Sequence, residues 1–130
     1  MSILKSISER NAKGKVKKIY TDIKKKRNIK QIPNFWKAIA SEPETLERTW
    51  NSLQQVMKKG TLDQLTKEII YIAVSMTNNC DYCIRSHIRS AKKMGMSDKM
   101  LNELIAVVGM ANETNQLVHS YRVSVDKFLK

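Results

Sequence analysis

The chain has 130 residues, 42 % of them hydrophobic, and carries a formal net charge of +12. That length suits one domain of ordinary size with a single modest core, and four glycines, two prolines and few aromatics favour helices over a sheet sandwich. No apolar run reaches the roughly 18 residues that a membrane span needs. The opening residues "MSILKSISERNAKGK" hold no apolar stretch of the secretory type, and two cysteines make no disulfide scaffold, so a cytoplasmic protein is expected.

The charge is uneven. Residues 1–30 hold 11 Lys and Arg against Glu9 and Asp22, while residues 31–130 hold 13 against 10 acidic residues. The basic character therefore belongs to an N-terminal segment, where Val16, Ile19, Tyr20 and Ile23 recur at helical spacing. This pattern predicts an amphipathic helix over about residues 9–28 with a solvated lysine face, closed before Pro33. Such a block could meet nucleic acid or an acidic partner, but no aromatics are interleaved with the lysines as a single-strand stacking platform would want, so nucleic acid is not the expected partner.

A short helix is expected around "FWKAIA", followed by a capping box at Ser41 and Glu44 with Pro43 in the first turn. That third helix carries Leu46, Trp50, Leu53 and Met57 on one face and stops at Gly60. Thr61 with Gln64 repeats the capping pattern and opens "LDQLTKEIIYIAVSMT", whose apolar face runs Leu65, Ile69, Ile72, Ala73, Met76. The "NNC" stretch reads as a break, and a helix follows over about residues 81–94, ending at Gly95. Ser97 caps a further helix through "KMLNELIAVVG", and "NETNQLVHSYRVSVDKFL" reads as the last. The expectation is an all-α, single-domain bundle of about six helices over residues 1–130.

The chemistry concentrates in "NNCDYCIRSH", which holds Cys80, Cys83 and His87. With Cys80 at a helix N-cap and Cys83 in the first turn, backbone N–H groups and the helix dipole favour a thiolate. His87, four residues after Cys83, leaves the same face one turn on and can take or return a proton. One sulfur can attack while the other resolves. The same residues could offer three ligands to zinc, although a structural site needs four, or could be inert parts of a core. Glu68 stands beside the apolar face of its helix as a solvated edge residue or a semi-buried acid. If buried, it completes a Glu–His–Cys proton path, which requires its helix to pack antiparallel against the cysteine helix.

The run from Glu68 to His87 resembles the core of the AhpD-like alkylhydroperoxidases of the carboxymuconolactone decarboxylase superfamily: a glutamate, eleven residues, C-x-x-C, three residues and a histidine. The likeness extends from "IPNFWKAIASEPETLERTW" through "GMSDKMLNELIAVVGMANETN", and the basic N-terminus is its least diagnostic part. The resemblance implies a helical fold assembled as trimers or hexamers, and peroxidase activity without cofactor or metal. It implies Cys83 as the sulfur that attacks a hydroperoxide, Cys80 as the resolving thiol, and His87 with Glu68 as proton relay. It implies re-reduction by a dithiol or lipoyl-type protein, and no membrane partner. The decarboxylase branch lacks the cysteine pair, which sets that activity aside. Two departures stand out: Tyr82 occupies the place of a second histidine in the characterised enzyme, and this chain holds one copy of a core that is repeated there. A second reading keeps the disulfide but makes the chain a redox sensor or interaction protein.

Overall fold

The computed structural model describes residues 2–130. These residues are all-helical, with six α-helices, two short 3₁₀ helices and no strand among them. They gather into two compact units, one reaching to Lys58 and the other spanning Lys59–Lys130.

The first unit comprises a 3₁₀ turn at Glu9–Asn11, then α1 (Gly14–Arg27), α2 (Asn34–Ile39) and α3 (Pro43–Met57). Both α1 and α2 pack on α3. The expected stripe of α1, Val16, Ile19, Tyr20 and Ile23, is buried, and it meets Trp36, Leu46 and Trp50. The rings of Trp36 and Trp50 meet edge to face at 5.4 Å, the arrangement their quadrupoles prefer. Ile23 and Leu46 are fully buried, each contributing about 1.5–3 kcal/mol through removal from water. Polar ties close the edges: Trp50 Nε1 donates to Asp22 Oδ2 at 2.7 Å, and Tyr20 donates its hydroxyl to the Ile7 carbonyl at 2.7 Å. Burial, with Glu9 nearby, pushes the Tyr20 phenol up to about 12. The lysine face of α1 is partly paired, since Lys15 reaches Glu44 and Glu47, and Lys24 reaches Glu9.

The second unit comprises α4 (Gln64–Thr77), α5 (Asp81–Lys93), α6 (Asp98–Ser120) and a terminal 3₁₀ turn at Lys127–Leu129. Here α4 packs on α5 and on α6. Ile72, Ala91 and Met96 form its buried centre, flanked by Leu65, Ile69, Met76, Ile88, Leu101 and Leu104. Thr77 Oγ1 and Asn112 Oδ1, 3.2 Å apart, tie the end of α4 to the middle of α6.

Several boundaries differ from the sequence expectation, each for a local reason. Lys13, without a side-chain cap, is the N-cap of α1, and Glu9 belongs to the separate 3₁₀ turn. Glu42, not Ser41, caps α3, its carboxylate accepting the Glu44 N–H, while the Ser41 hydroxyl donates to the Ala38 carbonyl. Asp63, not Thr61, caps α4 by accepting the Thr66 N–H at 2.8 Å, and that bond holds its carboxyl below the ordinary range. The break expected after Gly109 is absent. Gly109 sits inside α6 with nothing near the position of a Cβ, and a glycine without a left-handed role only weakens a helix. The first of the two expected C-terminal helices and the start of the second are thus one helix of 23 residues, Asp98–Ser120. Beyond Arg122, with φ 52°, only the turn at Lys127–Leu129 is helical.

Candidate active site

The junction between α4 and α5 builds the site from backbone alone. Asn79 takes a left-handed conformation, φ 56°, which asparagine tolerates better than most residues. Its N–H donates to the Met76 carbonyl at 3.2 Å, and the Cys80 N–H donates to the Ser75 carbonyl at 3.0 Å. This pair of bonds is a Schellman closure of α4. Cys80 then opens α5: its carbonyl accepts the Ile84 N–H at 2.9 Å, and its Sγ accepts the Cys83 N–H at 3.3 Å. One helix end and the next helix start therefore fix the same cysteine from both sides.

Cys80 and Cys83 are joined in a disulfide, with Cα atoms 5.3 Å apart, inside the range that an unforced bridge spans. His87 lies one turn beyond Cys83 on α5. The short turn brings α4 back against α5, which places Glu68 against His87, with Oε2 2.6 Å from Nδ1. Both side chains are sequestered, His87 12 % and Glu68 9 % exposed. Against an ionised Glu68, which only accepts, Nδ1 is the donor and Nε2 is the ring nitrogen left for proton exchange. The face of the imidazole is covered by Tyr71, whose ring stacks on it with centroids 3.7 Å apart and planes 24° from parallel.

The four candidate residues thus fall in one helical hairpin: Glu68 is buried rather than solvated and bonded to His87, and His87 shares α5 with the disulfide. Tyr82 lies on α5 between the cysteines and is 45 % exposed. His119 sits exposed near the end of α6. Among the described residues, no three His, Cys, Asp or Glu side chains are grouped to hold a metal ion, and no helix is long and apolar enough to cross a membrane. Sequence reading passed over Tyr71; the available signal was an aromatic residue three positions after Glu68, on the same side of α4.

An all-helical hairpin that carries a paired Cys80 and Cys83 on the helix of a buried Glu–His couple defines the class. Residues 43–126 match the Carboxymuconolactone decarboxylase family. The fold also superposes, with a TM-score of 0.85, on the crystal structure of the alkylhydroperoxidase AhpD core from Rhodospirillum rubrum. That protein shares 40 % identity, over 89 % of this chain and 87 % of that one. The chain belongs to the carboxymuconolactone decarboxylase family, in its AhpD-like branch. Among curated proteins, it is 35 % identical over 52 residues to uncharacterized protein 4 of the cox locus of Paracoccus denitrificans. It is 33 % identical over 49 residues to the uncharacterized protein YdfG of Bacillus subtilis. These matches span 47 % and 33 % of the two relatives, and 40 % and 38 % of this chain.

Proposed function

We propose that the chain is a thiol-dependent peroxidase that reduces hydroperoxides through a Cys80/Cys83 dithiol–disulfide cycle. The observation that supports it is the buried Glu68–His87 bond beside a cysteine pair on the same helix as the histidine. In the reduced state the Cys83 proton passes to His87, whose charge Glu68 offsets. The Cys83 thiolate attacks the terminal oxygen of a hydroperoxide, the O–O bond breaks, and the departing alkoxide takes a proton from the imidazolium. The products are an alcohol and a sulfenic acid on Cys83. The Cys80 thiol then displaces that hydroxyl as water and forms the disulfide.

A dithiol reductant, of the lipoyl type in this reading, reopens the bridge. It attacks Cys83 and expels Cys80, whose emerging anion is met by the Cys83 N–H that already points at its sulfur. A stabilised thiolate leaves well and attacks poorly, which separates the roles of the two cysteines. Working in this way suits a reducing compartment such as the cytoplasm, and a protein assembled from several copies.

The test is steady-state consumption of tert-butyl hydroperoxide with dihydrolipoamide as electron donor. Turnover that disappears in both Cys83→Ser and Cys80→Ser supports the enzyme. Oxidation too slow to turn over, coupled to a change in binding of another protein, indicates the sensor instead.

A further inference from the structure

Glu68 and Tyr71 stand three residues apart on α4, on one side of the helix, and both meet His87. Glu68 grips the ring edge at Nδ1, and Tyr71 lies flat on the ring face. We infer that Tyr71 is a positioning residue for His87, fixing the plane of the imidazole so that Nε2 keeps one direction. The inference rests on the peroxidase reading, in which that nitrogen carries the proton.

The reason lies in the torsion that sets the ring. The last side-chain dihedral of histidine joins tetrahedral to planar carbon and has broad, shallow preferences. Its rotamer therefore does not decide the plane. The bond to Glu68 restrains one ring atom, and the bend that a hydrogen bond tolerates still lets the ring plane rock about the Cβ–Cγ bond. A second ring 3.7 Å away and tilted by 24° blocks that rotation on one side.

Core packing does not account for Tyr71. The buried cluster of this unit takes Leu65, Ile69, Ile72 and Met76 from α4 and leaves Tyr71 out, and the residue is 36 % exposed. Its ring contact is with the imidazole. The stack needs the ring and not the hydroxyl.

The experiment compares the reduced parent with Tyr71→Phe and Tyr71→Leu. Three quantities are read: the NMR shifts of the carbon-bound ring protons of His87, the rate of Cys83 alkylation by iodoacetamide, and the rate of thiol oxidation by tert-butyl hydroperoxide. The expected result is upfield ring-current shifts in the parent and Tyr71→Phe that vanish in Tyr71→Leu. Both rates should fall about tenfold in Tyr71→Leu, as for a misaligned catalytic group, and stay within about twofold of the parent in Tyr71→Phe. Parent ring protons without a ring-current shift overturn the inference directly, even if Tyr71→Leu does not fold. A Tyr71→Leu protein as fast as the parent, or Tyr71→Phe as slow as Tyr71→Leu, overturns it as well. Should the parent consume no peroxide, the peroxidase reading fails, while ring shifts and alkylation rates still decide the role of Tyr71.

Discussion

Glu68 and His87 come from different helices and meet at 2.6 Å, with each side chain about one-tenth exposed. A buried carboxylate is costly without a partner, and here the partner is the one imidazole on the cysteine helix. Glu68→Gln keeps the shape and a hydrogen-bonding oxygen but removes the ionisable group. Thiol oxidation by hydroperoxide is expected to fall on the order of tenfold or more, the usual scale of general acid–base assistance. The circular dichroism spectrum and melting temperature should stay close to those of the parent. Oxidation at the parental rate would remove Glu68 from the relay.

The backbone at Asn79 makes a prediction independent of catalysis. Its left-handed φ of 56° costs most residues about 1–2 kcal/mol, and glycine almost nothing. Asn79→Val should therefore lower stability by about 1 kcal/mol in urea unfolding, and Asn79→Gly should match or exceed the parent. Because Cys80 hangs on the same closure, Asn79→Val should also make the disulfide slower to form. Equal stability of the two variants would contradict the left-handed turn.

The four site residues stood out in the sequence as a group through the family pattern they resemble, whereas the residues alone left Glu68 open between a solvated edge and a semi-buried acid. Glu68, Cys80, Cys83 and His87 sit at intervals that a helix, a tight turn and a second helix bring together. The buried stripe of α1 was legible from periodicity alone, since Val16, Ile19, Tyr20 and Ile23 keep helical period. The caps were not. Ser41 and Thr61 have the right side chains, but Glu42 and Asp63 lie one and two residues closer to the helices that form, and local geometry rather than composition chose between them. Gly109 was read as a stop although α6 runs through it, because glycine ends a helix where a left-handed residue is required, as at Gly95 with φ 105°. Leu101 and Leu104 pack against the core of their own unit. Tyr71 escaped notice because a stack on a histidine 16 positions later in the sequence leaves no periodic trace.

Acid should loosen the first unit. The Trp50 indole and then Lys26 hold the Asp22 carboxyl below its usual range, and Lys24 with the Ile32 N–H does the same for Glu9. A carboxyl depressed in the folded state adds stability above its unfolded value, about 4. That contribution is lost as pH falls through the lower folded value. The melting temperature of the parent should therefore drop more steeply below pH about 4 than that of Asp22→Asn, which starts lower at neutral pH. Parallel curves would show that the Trp50–Asp22 contact adds nothing.

Helix α6 contributes no buried residue, and Ile105, Val107, Met110, Leu117 and Val118 stand exposed along it. Apolar surface on this scale calls for a cover, and a second copy of the chain supplies one in the trimer or hexamer that we propose. Light scattering at micromolar concentration should give a multiple of 15.0 kDa, and Val107→Glu should reduce it. A parent that runs as a monomer would contradict this assembly. The basic face of α1 is expected to stay outside the interface, since like charges oppose close approach.

A single-turnover measurement decides whether the cysteine pair reduces a hydroperoxide. Fully reduced protein is mixed with one equivalent of tert-butyl hydroperoxide in a stopped-flow instrument, and thiols, alcohol and protein mass are followed. One tert-butanol should form for every two thiols lost, with a protein lighter by two hydrogens and Cys80 bridged to Cys83. In Cys80→Ser the same peroxide should leave a sulfenic acid on Cys83 that dimedone traps, and in Cys83→Ser no alcohol should form. Disulfide formation without stoichiometric alcohol, or alcohol formed equally well by Cys83→Ser, would contradict peroxide reduction by the pair.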